Sequence, residues 1–237
     1  MDKAELEADP RPKGSRLAAW ICILVTSWIV FAPPRLERRS DPMVERRSST
    51  SRADTVPSDV VPGDVIFRRG RSWNSRAVLL ADAGSRYSHV GLAIAGLGGP
   101  WVVHATPVGP GTTGGVVREP IRDFLSPERA VEWGVFRVAG RASYELGLAA
   151  ADAASAMADR HIGFDDAFDL TDGSQLYCTE LVWRAYRKAG VDLVGGELEE
   201  IRFPGLGEVL VILPSRLSSS PYLRSVEENL PEQGRKP

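Results

Sequence analysis

Two neighbouring stretches of this chain alternate between apolar and polar or small residues. Over residues 88–95, Val90, Leu92 and Ile94 fall on one face of an extended segment and His89, Gly91 and Ala93 on the other. Residues 101–106 form a second strand after the turn cluster Gly96-Leu97-Gly98-Gly99-Pro100. Val61-Pro62-Gly63-Asp64-Val65-Ile66-Phe67 predicts a turn and a short strand, and 116–119, 133–138 and 209–213 predict further strands. Helical spacing appears at Ala77, Val78, Leu80 and Ala81 within 73–83, and in a short piece over 121–125. Ser143 is placed to cap an alanine-rich helix running to about residue 160. A last helix starts near Cys178: Leu181, Val182, Ala185 and Ala189 share a face, and Gly190 is a C-cap signal.

Outside these elements the pattern changes. Residues 1–16 are polar. Residues 17–32, LAAWICILVTSWIVFA, hold no charge and follow Arg11, Lys13 and Arg16, the pattern of a signal anchor or a signal peptide. Sixteen residues is slightly short of the roughly 17–25 needed to span a bilayer. Pro33 after Ala32 disfavours cleavage there, so a retained anchor is preferred. Residues 33–57 are rich in Arg, Ser, Asp and Pro and read as a disordered linker. The globular domain is assigned to 58–217, and 218–237 reads as a disordered tail. The expected location is the cell envelope, with the domain outside the cytoplasm on a membrane anchor formed by 17–32, or secreted if that segment is removed.

Composition narrows the function classes. A formal net charge of −2 over 237 residues gives no footprint for nucleic acid. The two cysteines, Cys22 and Cys178, exclude a disulfide framework. Cys178 draws the attention, because a helix N-terminus carries unpaired N–H groups and partial positive charge. A thiol there is expected to ionise below its free pKa of about 8.5. The same N–H groups are suited to hold an oxyanion.

The two histidine strands can be put in register by arithmetic. If Ile94 pairs with Trp101, Gly91 faces His104 and His89 faces Thr106. His89 and His104 are then diagonal neighbours on one face, roughly 7–8 Å apart at the backbone. The small Gly91 and Ala93 leave room on that face, and the Cys178 helix is expected to pack there. Cys178, His89 and His104 would then supply nucleophile, base and orienting group. The same residues, with His161 as a fourth ligand, form the competing reading of a zinc site. No close-spaced ligand pair supports it, so no metal and no cofactor are expected.

At these residues the chain resembles a known family. Pro62-Gly63-Asp64-Val65-Ile66-Phe67, Tyr87-Ser88-His89-Val90-Gly91, Gly163-Phe164-Asp165-Asp166-Ala167-Phe168-Asp169 and Tyr177-Cys178-Thr179-Glu180-Leu181-Val182-Trp183 are similar to the permuted NlpC/P60, papain-like cysteine amidases of the YiiX/YaeF type. The resemblance spans about 60–217 and includes Leu213-Pro214-Ser215-Arg216-Leu217. It implies an α+β, circularly permuted papain-like fold, with the nucleophile helix packed on an antiparallel sheet. It matches Cys178 to the nucleophile and His89 to the base. His104 falls where this type commonly has a glutamate, and a histidine there resembles the lecithin retinol acyltransferase-like relatives. Tyr177, Tyr87 and Ser88 are the expected substrate contacts. The reading is an exported or membrane-anchored cysteine amidase or peptidase acting on a peptide or acylated amine, with peptidoglycan-derived peptides as the family-level expectation. An acyltransferase or lipid-acting thioesterase on the same core, and a catalytically silent binding module, are the alternatives.

Overall fold

The computed structural model describes residues 57–109, 112–203 and 207–229. The expected polar segment 1–16, the apolar run 17–32 and the linker up to residue 56 lie outside them. In chain order the described residues form β1 (Val65–Gly70), α1 (Trp73–Ala81), β2 (His89–Gly96), β3 (Gly99–Thr106), β4 (Gly115–Pro120), α2 (Ile121–Phe124), β5 (Ala130–Val138), α3 (Ser143–Asp159), β6 (Gly163–Phe164), β7 (Gln175–Leu176), α4 (Cys178–Lys188), β8 (Glu199–Phe203), β9 (Gly207–Val211), α5 (Pro214–Ser218) and β10 (Leu223–Asn229). Six strands make one antiparallel sheet in the order β10-β5-β1-β2-β3-β4. The β2–β3 register pairs Ile94 with Trp101, as the turn cluster between them predicts.

Alternation along the strands gives the sheet two apolar faces. Val65, Phe67, Val90, Leu92 and Val103 pack with Ala150, Ala154, Leu181, Val182 and Ala185 of α3 and α4 in the larger core. Ile66, Ala93, Val102, Trp133 and Val135 face the other way, under Ile121, Phe124 and Leu125. The Cys178 helix therefore does not lie on the Gly91/Ala93 face, as the small residues there suggested. That space is taken within the sheet: a Cβ on Gly91 would sit 3.0 Å from the Cβ of His104. Short α2 closes the face instead.

The Pro62-Gly63-Asp64 motif is structural. Asp64 is fully buried; its Oδ1 and Oδ2 accept from Arg137 Nε and an Arg137 Nη at 2.6 and 2.8 Å, and Oδ2 also accepts from the Val61 N–H. Gly63 adopts a left-handed φ of 92°, and its carbonyl accepts the Tyr186 hydroxyl of α4. The motif thus ties the start of β1 to the nucleophile helix.

Two expected boundaries are corrected. Residues 218–229 are not a disordered tail: β10 pairs with β5, Leu223 opposite Val138. Its Arg224, Glu227 and Glu228 give it a polar reading, yet an edge strand is stabilised by its backbone ladder. Glu228 also accepts from the Tyr87 hydroxyl and pairs with Arg86. Ser143 is the first residue of α3 and not its cap; the N-cap is Ala142, with no side-chain capping bond.

Candidate active site

The first turn of α4 is held from both sides. The Thr179 hydroxyl donates to the Ile212 carbonyl at 2.6 Å, and the Ile212 N–H donates to the Tyr177 hydroxyl at 3.0 Å. Glu180, fully buried at the third helical position, accepts the Tyr177 N–H and the Arg184 Nε. Burial pushes its carboxyl up to about 7 against the pull of Arg184. In the loop before the helix, the buried Asp165 accepts the N–H groups of Ala167 and Asp169. That turn carries Phe168 at a left-handed φ of 56°, its ring 5.2 Å from that of Tyr177. The Gly-Phe-Asp-Asp-Ala-Phe-Asp and Tyr-Cys-Thr-Glu motifs thus build the ground on which Cys178 stands.

Cys178 and His89 line one cavity of about 720 Å³. Cys178 belongs to the core on the α4 side of the sheet, whereas His89 points to the α2 side. Both border the cavity because His89 is the first residue of β2, at the strand end that opens onto it. Behind it the predicted pair is present: His89 Nε2 lies 3.0 Å from His104 Nδ1. Both rings rest on Phe124, with centroids at 5.6 and 5.0 Å. His104 is 1% exposed.

The structure adds a carboxylate that sequence reasoning missed. Glu119 of β4 places Oε1 2.8 Å from His104 Nε2 and pairs through Oε2 with Arg129. The contact with His104 is off the line of a good hydrogen bond, yet neither atom has another partner among the described residues. Burial pushes the Glu119 carboxyl up, but His104 and Arg129 outweigh it and hold it down at about 2. A charged carboxylate there selects the tautomers. The negative charge at 2.8 Å favours the tautomer in which His104 carries its proton on Nε2, toward Glu119, and accepts on Nδ1. His89 must then donate from Nε2, which leaves its Nδ1 lone pair as the free base.

Electrostatics at the thiol differ from the sequence expectation. Burial pushes the Cys178 thiol up to about 11, although N–H groups of Val90, Thr179 and Cys178 itself and the charge of Arg68 pull the other way. Burial, with Arg68 and His104 adding to it, lowers His89 well below its ordinary value. Burial also lowers His104, with Glu119 opposing. Both shifts favour the neutral forms, thiol and imidazole, over thiolate and imidazolium. Because a thiol with a raised pKa holds its proton to higher pH, alkylation of Cys178 by iodoacetamide at pH 7 is expected to be at least about tenfold slower than that of free cysteine. It should keep rising above pH 9, where free cysteine has levelled off. A plateau already reached by pH 6 would show a preformed ion pair instead.

Of the three expected substrate contacts, Tyr177 and Ser88 line the cavity. Ser88 also uses its Oγ to accept the Gly70 N–H. Tyr87 is 2% exposed, packed on Phe67 and Phe136, and belongs to the core. Residues the sequence did not single out complete the cavity: Arg68, Arg71 and Arg129 at the histidine end, and Val78, Ile212 and Leu213 on an apolar wall.

Residues 59–226 match the family described as permuted papain-like amidase enzyme, YaeF/YiiX, C92 family. Protein YiiX of Escherichia coli K12 is 33% identical over 127 residues, 53% of this chain and 56% of that one, so the chain spans little more than half of this curated relative. The crystal structure of metalloprotein yiiX from Escherichia coli O157:H7 superposes with a TM-score of 0.58 at 25% identity, covering 72% of this chain and 98% of the other.

Proposed function

Because the chain belongs to the permuted papain-like amidase family, a family of cysteine hydrolases, we propose that it cleaves an amide bond with Cys178 as nucleophile and His89 Nδ1 as general base. The observation that supports this most is the line His89–His104–Glu119 behind the cavity. It fixes the tautomer of His89 and places a negative charge where imidazolium charge develops. As a substrate carbonyl approaches, Cys178 Sγ attacks its carbon and the thiol proton moves to His89 Nδ1. The Cys178 N–H at the helix start is a donor for the oxyanion. Collapse breaks the C–N bond, His89 returns the proton to the leaving amine, and water hydrolyses the thioester through the same base.

The Escherichia coli O157:H7 relative is described as a metalloprotein. In the present chain the donors are engaged with one another. His104 spends both nitrogens on His89 and Glu119, and His89 spends Nε2. His89 Nδ1 and the Cys178 thiol remain toward the cavity, whose lining also carries Asp166 and Glu128, and among the described residues no three His, Cys, Asp or Glu side chains are grouped as a catalytic zinc requires.

A second reading, acyl transfer, draws support from the apolar wall of the cavity. Both readings pass through an acyl-enzyme. Mass spectrometry of protein quenched with an activated acyl substrate is expected to show one acyl group on Cys178. Release by water alone supports hydrolysis, and release only after an alcohol or amine is added supports transfer. No acylation of Cys178 by any substrate of a muropeptide and acyl-amine panel would favour the silent binding module.

The reading includes action on peptidoglycan-derived peptides outside the cytoplasm, supported by the uncharged run 17–32. Among the described residues no helix is long and apolar enough to cross a membrane. A chain starting at Pro57 is expected to be soluble, folded and unchanged in thiol reactivity, while the full chain partitions with membranes. An insoluble product would place the apolar segment in the core.

A further inference from the structure

Arg68 stands directly across the β1–β2 ladder from His89. Like His89 it borders the cavity, and its charge is felt at the Cys178 thiol. One terminal amino group donates to the Phe124 carbonyl at 2.6 Å, and the guanidinium lies over the Phe124 ring, 4.2 Å from its centroid. Arg68 Nε is buried without a partner, and among the described residues no carboxylate pairs with Arg68. Its neighbours differ: Arg129 is tied to Glu119, and Arg71 is exposed and donates to the Pro127 carbonyl.

The anchored amino group fixes the plane of the guanidinium, and no acceptor meets its Nε. The Nε edge is the fork that matches a carboxylate by two parallel hydrogen bonds. An orphaned donor of this kind costs free energy in the empty site and is satisfied when an acceptor arrives. Burial lowers the Arg68 pKa to about 10, with Arg129 adding to the effect, so the group remains a cation at neutral pH. The catalytic line does not use it; the Glu119 charge reaches it, but Glu119 is paired with His104 and Arg129. Resting on the reading of Cys178 as the nucleophile, we propose that Arg68 is an anion-recognition residue: it binds a carboxylate carried by the substrate beside the carbonyl that Cys178 attacks. The substrate class is then an acylated amino acid or peptide with a free carboxylate near the scissile bond, its apolar part along Val78, Ile212 and Leu213.

Two alkylating reagents test this directly. Iodoacetate and iodoacetamide form the same S–CH₂ bond and release the same iodide, but only iodoacetate carries a carboxylate. Their rates at Cys178 are measured at pH 9 in the full-length protein, and the iodoacetate-to-iodoacetamide ratio is divided by that of free cysteine. The expected normalised ratio is about 10–100, the range of a hydrogen bond to a charged group. It should fall to about 1 in Arg68→Met, which keeps the apolar stem over Phe124, and stay intermediate in Arg68→Lys. In the wild type it should fall with added salt, a measurement that stands even if Arg68→Met fails to fold. A wild-type ratio near 1, or a high ratio lost in Arg71→Met but kept in Arg68→Met, overturns the assignment. Turnover is followed in parallel on neutral amides. Cys178-dependent turnover with a ratio near 1 would sink the carboxylate site alone, and a high ratio without turnover would sink only the amidase reading.

Discussion

Cys178→Ser is expected to fold as the wild type does and to lose turnover by roughly 10⁴–10⁶-fold, the scale on which removal of a nucleophile leaves only binding and the oxyanion donors. The change is one atom at a half-buried position whose surroundings are fixed by other residues. The Thr179–Ile212 and Tyr177–Ile212 bonds and the Glu180–Arg184 pair do not involve the sulfur. Melting temperature and spectra should therefore be unchanged. The activity loss follows from chemistry: a serine hydroxyl is far harder to deprotonate, and His89 is held neutral and weakly basic by burial and by Arg68. Thiol alkylation at residue 178 should vanish in parallel. Turnover within tenfold of wild type in Cys178→Ser would remove Cys178 from the nucleophile role.

How far this site could be read in advance depended on the kind of interaction. The His89–His104 pair was legible because the two-residue turn Leu97-Gly98 within a glycine-rich stretch fixes the register of β2 and β3, and alternation does the rest. Glu119 was not, because residues 107–114 join β3 to β4 and a loop of that length sets no register. Val116-Val117-Arg118-Glu119 therefore read as a strand with a charged end. The observed pairing of His104 with Val117 makes Glu119 a diagonal neighbour of His104 on the same face. Arg68 was hidden for a similar reason: at the end of Val65-Ile66-Phe67 an arginine reads as solvated, and only the β1–β2 ladder shows it opposite His89.

The two expectations that failed at the site share one cause. Helix position and residue size are local quantities, whereas burial is global. A helix N-terminus lowers a thiol pKa, but that effect is small against removal from water. Gly91 and Ala93 looked like room for a helix, but the room was already filled by His104 and Val102 from the same sheet. The edge strand β10 was lost in the same way, since its stabilisation comes from β5 and not from its own apolar content.

The line behind His89 predicts a graded series. His89→Ala removes the proton-transfer group and should lower kcat by about 10²–10⁴-fold. His104→Ala should cost less, about 10–100-fold, because His104 acts through His89 and touches no substrate. Glu119→Gln should cost about tenfold: its amide oxygen can still accept from His104 Nε2, but the charge that steadies a developing imidazolium is gone. His104→Gln should recover part of the His104→Ala loss, since an amide can still accept from His89 Nε2. A positioning role should also move the pH profile. With Glu119 neutral, the acid limb of kcat/KM should shift to lower pH, because protonated His89 and His104 lose a nearby negative charge. A purely structural role would reduce the rate without moving that limb.

The sharpest member of the series is His104→Glu, which installs the glutamate that the resemblance implies at this position. Here position 104 is 1% exposed and faces Glu119 at 2.8 Å. Two carboxylates at that separation cannot both stay ionised, so one takes up a proton. His104→Glu alone is therefore expected to be no more active than His104→Ala and to melt at lower temperature. Adding Glu119→Gln removes the second charge, and the double variant should recover activity above either His104 single variant. Wild-type activity in His104→Glu with Glu119 intact would mean that Glu119 does not stand behind residue 104 in the working enzyme, and the three-member line would reduce to a pair.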